Sequence, residues 1–138
     1  MNLPLKGIIT PFITPLNNYD ELDIPGLEKL IEHQVSGGIH GGHGAVAGGA
    51  NLFPKMFVDL YKASLTNDLE SISIIREKVL MLYQTIYQVG KHPSRYVKST
   101  KCGLSVLGIC NDYLAPPLHR FKPSERKQIE DYLERMLT

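Results

Sequence analysis

The feature that most constrains the fold is an apolar stripe in the second half of the chain. Six aliphatic residues follow one another at intervals of three and four positions: Ile72, Ile75, Val79, Leu82, Ile86 and Val89. This spacing brings their side chains to one face of an α-helix. The stripe therefore predicts a long amphipathic helix that Gly90 closes, in a chain dominated by helix.

Four further helices are predicted from capping residues and apolar periodicity. The first begins after Asp23, and the second begins near Pro54. The third spans about 94–107, and the last begins at Pro123. Thr66, Asn67 and Asp68 are expected to end the second helix and to cap the helix that carries the stripe. The residues expected on the buried faces of the first, second and last of these helices are Leu27, Leu30, Ile31, Val35, Met56, Phe57, Leu60, Tyr61, Leu65, Ile129, Tyr132, Leu133 and Met136.

Two short segments are predicted to be strands. Residues 7–13 form a β-branched apolar run between Pro4 and Pro15, which is typical of a strand buried on both faces. Residues 45–47 resemble a strand inside the segment 37–49, where seven of thirteen positions are Gly. Glycine at this density indicates backbone that passes close to another part of the molecule.

Length and charge exclude several classes of protein. The 138 residues allow one ordinary domain. Because 15 basic side chains face 14 acidic ones, no general field attracts nucleic acid. The longest uncharged stretch, 35–54, is mostly Gly and Ala and is too poor in large apolar side chains for a membrane helix. With no secretory signal at its start, the sequence predicts a cytoplasmic protein that binds neither nucleic acid nor membranes.

Two patterns in or near the glycine segment are typical of ligand-binding sites, but each lacks a part that such a site requires. Residues 42–47 match G-x-G-x-x-A, yet a dinucleotide site requires a strand before this pattern and a helix directly after it. His33, His40 and His43 do not supply the three or four convergent ligands that zinc requires. We expect surface or loop histidines and no metal site.

Basic and thiol side chains lie in and just after the helix predicted over about 94–107. Arg95, Lys98 and Lys101 fall on one helical side and could grip a phosphate, although a solvated basic face is the preferred interpretation. Cys102 and Cys110 lie eight residues apart in a helical pattern, beyond the reach of a disulfide. Both are expected to be reduced core residues.

Three segments of the sequence together resemble one enzyme family. Residues 5–15 read LKGIITPFITP, residues 23–31 read DIPGLEKLI, and residues 41–51 read GGHGAVAGGAN. Their order resembles the dihydrodipicolinate synthase / N-acetylneuraminate lyase family, in which the first two are barrel strand one and helix one and the third is the eighth strand. Residues 96–118 are similar to the C-terminal helices of that family.

The resemblance implies an α/β remnant of a (β/α)8 TIM barrel, mostly helical, with two short parallel strands and a C-terminal helical domain. A closed barrel of this kind typically requires about 250 residues. The middle of the barrel is therefore missing, and the break lies near residue 41. We expect residues 1–67 to form the partial barrel and residues 68–138 to form the helical domain.

The chemistry that the resemblance implies is that of class I aldolases. A lysine at the end of the sixth strand forms a Schiff base with pyruvate or another 2-oxo acid. By the resemblance, the segments that carry this lysine, the proton-relay tyrosine and the carboxylate-binding loop are missing. The lysines that remain are expected on helix faces or in linkers, where solvent keeps them protonated. We therefore expect no catalytic residue and no cofactor. The wall residues of the pocket that carry over are Thr10, Pro11, Val46, Ala47 and Gly48.

Three functions are open at this point. The preferred one is a truncated member of the pyruvate-dependent lyase family that has lost its activity. The alternatives are an active lyase with an unrecognised site and a helical interaction module that associates with itself or with a full-length paralogue. Because helix faces have lost their barrel, we expect exposed apolar surface and homo-oligomers.

Overall fold

Helices make up most of the chain that the structure describes. The computed structural model describes residue 11 and residues 13–18, 21–36 and 47–138, without the side chains of residues 34–36. The α-helices of these residues are α1 (Ile24–Ser36), α2 (Pro54–Leu65), α3 (Leu69–Gln84), α4 (Arg95–Val106) and α5 (Pro123–Leu137). Two short 3-10 turns, Gly48–Asn51 and Ile86–Gln88, precede α2 and follow α3. The predicted helical character of the chain is confirmed.

Local capping explains where α1 and α3 begin. The Asp23 carboxylate accepts a hydrogen bond from the Gly26 amide at 2.9 Å. Asp68 likewise accepts one from the Ser71 amide at 3.1 Å. Both bonds satisfy amide groups that have no partner inside the helix. These two starts are the ones predicted from the sequence.

The helix that carries the apolar stripe is shorter than predicted. α3 ends at Gln84 and a 3-10 turn follows it, whereas the stripe predicted helix as far as Val89. The Ser99 hydroxyl donates a hydrogen bond to the Ile86 carbonyl at 2.8 Å. This carbonyl therefore has its partner on α4. The prediction was wrong here because periodicity along one segment does not report hydrogen bonds from another.

The predicted strands fall mostly on residues outside the described part. Where the structure describes the chain, it contains no β-strand, only an isolated antiparallel bridge between Leu16 and Leu22. Most of 7–13 and 45–47 lies outside the described residues, as does the junction near 41. The two parallel strands therefore stay a prediction.

One apolar core joins the five helices. It draws side chains from every helix and from the 3-10 turns, among them Leu30, Leu52, Phe57, Leu82, Ile86, Leu104, Ile129 and Leu133. These residues come from both sides of position 67, and the division into two units stays a prediction. None of the described helices combines the length and the hydropathy that crossing a bilayer demands.

Two residues expected in the core are on the surface. Ile31 is 44% exposed and Leu65 is 67% exposed. At 100° per residue, Leu65 lies at the edge of the α2 stripe, and Ile31 lies 100° around α1 from the buried Leu30. The prediction was wrong for both because the packed face of each helix is narrower than its stripe.

Truncating one core leucine on α5 tests this packing. Leu133 is 1% exposed, whereas Leu137, one turn later on the same helix, is 63% exposed. Leu133→Ala should lower the free energy of unfolding by about 2–5 kcal/mol, because it leaves a cavity. Leu137→Ala, the matched control, should change it by less than about 0.5 kcal/mol. Urea denaturation measures both, and equal losses would contradict the packing described here.

Candidate functional site

A cavity of about 370 Å³ lies where Pro11 approaches the 3-10 turn Gly48–Asn51. Asn51 is only 1% exposed. Its side-chain amide donates hydrogen bonds to the carbonyls of Pro11, at 2.9 Å, and of Gly48, at 3.0 Å. This one side chain holds two separate parts of the chain on the same wall of the cavity.

Aromatic side chains form the facing wall. Tyr83 lies in the last turn of α3, Tyr87 lies in the following 3-10 turn, and Tyr96 lies in the first turn of α4. The hydroxyls of Tyr83 and Tyr96 lie 3.3 Å apart and share a hydrogen bond. Thr100 completes this wall, with its hydroxyl 3.4 Å from that of Tyr87. The wall is therefore apolar in area but carries several hydroxyl groups.

The environment shifts the pKa values of these tyrosines in different directions. Burial raises the pKa of Tyr87, which the hydrogen bond with Thr100 partly offsets. The hydrogen bond with Tyr83 lowers the pKa of Tyr96, and the nearby Arg95 guanidinium lowers it further. That guanidinium lies 5.1 Å from the centre of the Tyr96 ring.

The lining limits what the cavity can do chemically. Among the described residues it presents hydroxyl, amide and apolar groups, and no lysine, histidine or carboxylate. A tyrosine hydroxyl titrates near pH 10 and is neutral at pH 7. The cavity can hold a ligand by aromatic contact and hydrogen bonds, but these groups supply neither a general base nor an amine nucleophile at neutral pH.

The structure places three of the five predicted wall residues. Pro11 and Gly48 both line the cavity, joined through Asn51. Ala47 packs partly buried against the core. Thr10 and Val46 lie outside the described residues. The tyrosine wall was not predicted, because its members come from α3, a turn and α4 and share no sequence motif.

Lys101 corrects the prediction that every lysine is solvated. It is 2% exposed, and its Nζ atom has no hydrogen-bond partner among the residues that the structure describes. Burial lowers its pKa from the ordinary 10.5, and attraction to Cys110, Asp23 and Asp112 opposes that shift. Lys101 therefore does not belong to the solvated basic face predicted for it together with Arg95 and Lys98.

The carboxylates near Lys101 have partners of their own. Asp23 accepts a hydrogen bond from the Asn111 amide at 3.0 Å. Asp112 forms ion pairs with Arg120 at 2.7 Å and with Arg126 at 3.2 Å. Lys101 is not part of the lining of the tyrosine cavity. It is a desolvated amine enclosed between α4 and its neighbours.

The sequence held one signal for this burial. α4 is buried from residue 99 to residue 104, a stretch rich in small side chains. A Cβ atom at Gly103 would lie 2.7 Å from Leu52, so this helix packs closely against the core. Small residues on several faces indicate a helix enclosed on several sides, and Lys101 lies within that stretch.

Replacing Lys101 tests its desolvation. Lys101→Met keeps much of the side-chain volume and removes a buried, unpartnered ammonium, so it should raise the free energy of unfolding by about 1–3 kcal/mol at pH 7. Lys78→Met, an exposed change on α3, should leave stability nearly unchanged. Urea denaturation measures both.

The same variants have a predicted pH dependence. Because the folded-state pKa of Lys101 is lowered, the unfolded chain binds more protons between that pKa and 10.5. The contribution of Lys101 to the free energy of unfolding therefore rises with pH through this window. The excess in free energy of unfolding of Lys101→Met over the wild type should therefore shrink as the pH rises through this window. The small difference between Lys78→Met and the wild type should stay constant. A constant difference would contradict the burial of Lys101.

The remaining sequence motifs carry no site in the described residues. The Nε2 atom of His33 lies 3.2 Å from the Leu52 carbonyl. No group of three or more metal-ligating side chains occurs within the part of the chain that the structure describes, and residues 40–46 lie outside it.

Both cysteines are free thiols, as predicted. Burial raises the pKa of Cys102 to about 11 and also raises that of Cys110. Cys110 follows the end of α4 rather than continuing its helical pattern.

Curated relatives of one name match parts of the chain. The 4-hydroxy-tetrahydrodipicolinate synthase of Neisseria meningitidis serogroup C is 31% identical over 78 residues, which are 56% of this chain and 25% of that protein. The enzyme of the same name from Rickettsia akari is 30% identical over 94 residues, 67% of this chain and 30% of that protein. The chain thus spans about a quarter to a third of the length of these relatives. No family model matches it.

Solved structures show the same fold. A chain of dihydrodipicolinate synthase from Bacteroides thetaiotaomicron superposes with a TM-score of 0.93 at 23% identity, over 98% of this chain and 100% of that one. A second dihydrodipicolinate synthase structure covers 78% of this chain and 34% of that one, with a TM-score of 0.56. Sequence relatives and structural neighbours agree, and the chain belongs to the dihydrodipicolinate synthase family as a partial, DapA-like member.

Proposed function

We propose that this chain is a catalytically silent member of the family, which keeps part of a pocket wall but does not form a Schiff base with a 2-oxo acid. The observation that carries the proposal is the lining of the tyrosine cavity. Two predicted wall residues, Pro11 and Gly48, meet there, and the described lining holds no lysine. A wall without an amine can bind a carbonyl compound but cannot condense with it.

Lys101 is the amine that the proposal has to account for. An amine that attacks a carbonyl at neutral pH needs a lowered pKa and access to the substrate. Lys101 has the lowered pKa. At 2% exposure it lacks the access. Its two properties therefore favour a structural role within the core.

The proposed ligand class and cellular location follow from the family. The curated relatives are synthases three to four times as long as the segments they share with it. A 2-oxo acid such as pyruvate is the ligand class proposed for the parent family, with Thr10, Pro11, Val46, Ala47 and Gly48 as remnants of the pocket wall. A cytoplasmic location belongs to the same proposal.

Trapping with borohydride tests directly whether the chain forms a Schiff base with a 2-oxo acid. Incubation of the purified chain with pyruvate and sodium borohydride should leave its intact mass unchanged, because Lys101, the amine whose pKa burial lowers, is enclosed in the core. The matched positive control is the longer Neisseria meningitidis relative under the same conditions. A stoichiometric adduct on one lysine would contradict the proposal, and its loss in Lys101→Met would identify Lys101 as the nucleophile.

A second candidate function, self-association, rests on α3. This helix packs its inner stripe against the core, yet Ile74 is 52% exposed and Met81 is 46% exposed. Seven residues apart, these two side chains lie on one outer face. Leu69, at 75% exposed, adds to the uncovered apolar surface. A helix that is apolar on its outer side as well as its inner side is usually covered, and the occupant we propose is a second copy of this chain.

Charge on the outer face of α3 should weaken that association. The double variant Ile74→Glu/Met81→Glu should shift the chain towards monomer in light scattering at micromolar concentration, because it places two carboxylates in an apolar contact. Leu137→Glu is the control, since Leu137 is also an exposed apolar residue but lies on α5. A monomeric wild type, or equal effects of the two variants, would contradict association through α3.

A further inference from the structure

A second cleft, of about 600 Å³, opens between the turn before α4 and the start of α5. Lys91, Arg95 and Lys98 line it from one side, with His92 beside them. Gln128 and Glu125 line it from α5. The cleft is separate from the tyrosine cavity and has the opposite character, because cationic and polar side chains dominate it.

Glu125 is the carboxylate that lines the cleft together with its three cations. The ion pairs among the described residues do not include Lys91, Arg95 or Lys98. Glu125, the acidic residue of the lining, is already the acceptor for the Lys122 amide at 2.8 Å. In contrast, Arg126 of α5 is neutralised by two carboxylates outside the cleft. With three cations and the Glu125 carboxylate in its lining, the cleft therefore carries net positive charge.

Two of these cations are held in place by the protein. Arg95 Nε donates a hydrogen bond to the Tyr87 carbonyl at 2.9 Å, and its guanidinium also contacts Tyr96, so Arg95 offers the cleft only part of its set of donors. The Lys98 ammonium lies 4.5 Å from the centre of the Phe121 ring. Positioned side chains lose less conformational entropy when they bind a ligand than free ones do.

The turn at Gly90 builds the floor of the cleft. Gly90 has a φ of +84°, a conformation that favours glycine. A Cβ atom there would lie 3.1 Å from the Phe121 ring, so this backbone sits directly against the aromatic side chain. This contact brings Lys91 and His92 to the same side as Arg95.

We propose that this cleft binds the phosphate group of a small phosphate monoester. A phosphate dianion matches this excess of positive charge better than a single carboxylate does, and its oxygens accept hydrogen bonds from guanidinium, ammonium and amide groups in several directions. The cleft is larger than the phosphate ion itself, so it has room for the organic part. Phosphate binding in this cleft does not depend on whether the chain forms a Schiff base.

Titration calorimetry with sn-glycerol 3-phosphate and with inorganic phosphate, at low chloride concentration, tests the proposal. Both probes should bind saturably with one site, and the Lys91→Gln/Lys98→Gln variant should bind about tenfold more weakly or worse. Tighter binding of the ester than of inorganic phosphate would show that the organic part contacts the cleft, and equal binding would show recognition of the phosphate alone. Lys62→Gln/Lys78→Gln, with the same loss of charge on α2 and α3, should bind like the wild type.

A third variant keeps the test independent of the cationic residues. Gln128→Glu leaves all cations in place and adds a negative charge on the opposite wall, so it should also weaken binding of both probes. Circular dichroism verifies that each variant is folded. Absence of saturable binding, or equal weakening in the Lys62/Lys78 control, would overturn the proposal.

Discussion

The packing of the segment Gly48–Leu52 between α2, α3 and α4 is the contact on which the rest of the structure depends. A Cβ atom at Gly49 would lie 2.8 Å from both Leu82 and Phe57, so only glycine lets the backbone approach α2 and α3 so closely. Leu52 is 1% exposed and occupies the space that a side chain at Gly103 would need. Two glycines, one on each side of this contact, therefore bring three helices together.

The same contact positions the candidate site. Asn51 lies in this segment, and its two hydrogen bonds bring Pro11 and Gly48 onto one wall. The close approach of α4 that Gly103 permits also encloses Lys101. The features that make the helical core compact are thus the ones that separate its desolvated amine from the cavity.

Elements governed by local interactions could be predicted from the sequence. Asp23 and Asp68 cap their helices with their own side chains, and Pro54 and Pro123 favour a first turn, so the starts of α1, α2, α3 and α5 follow from neighbouring residues. The family itself could be predicted because segments 5–15, 23–31 and 41–51 resemble it and follow one another in the same order.

Features that depend on distant residues could not be predicted in the same way. The end of α3 depends on the hydrogen bond from Ser99 to Ile86, which joins two helices. The burial of Lys101 depends on the neighbours of α4, and a lysine taken alone favours solvent. The tyrosine wall gathers residues from three elements. Arg95 and Lys98 could be assigned to one helical side from their spacing, but the cleft that they share with Lys91 and Glu125 depends on the position of α5.

Native-state hydrogen exchange tests most directly whether the Gly48–Leu52 contact unites the helices into one cooperative unit. The slowest amides of α2, α3, α4 and α5 should all exchange with the same free energy of opening. Gly103→Ala, which crowds Leu52, should lower that free energy by the same amount in every helix. Different opening free energies for α2 with α3 and for α4 with α5, or an effect of Gly103→Ala confined to α4, would contradict the account.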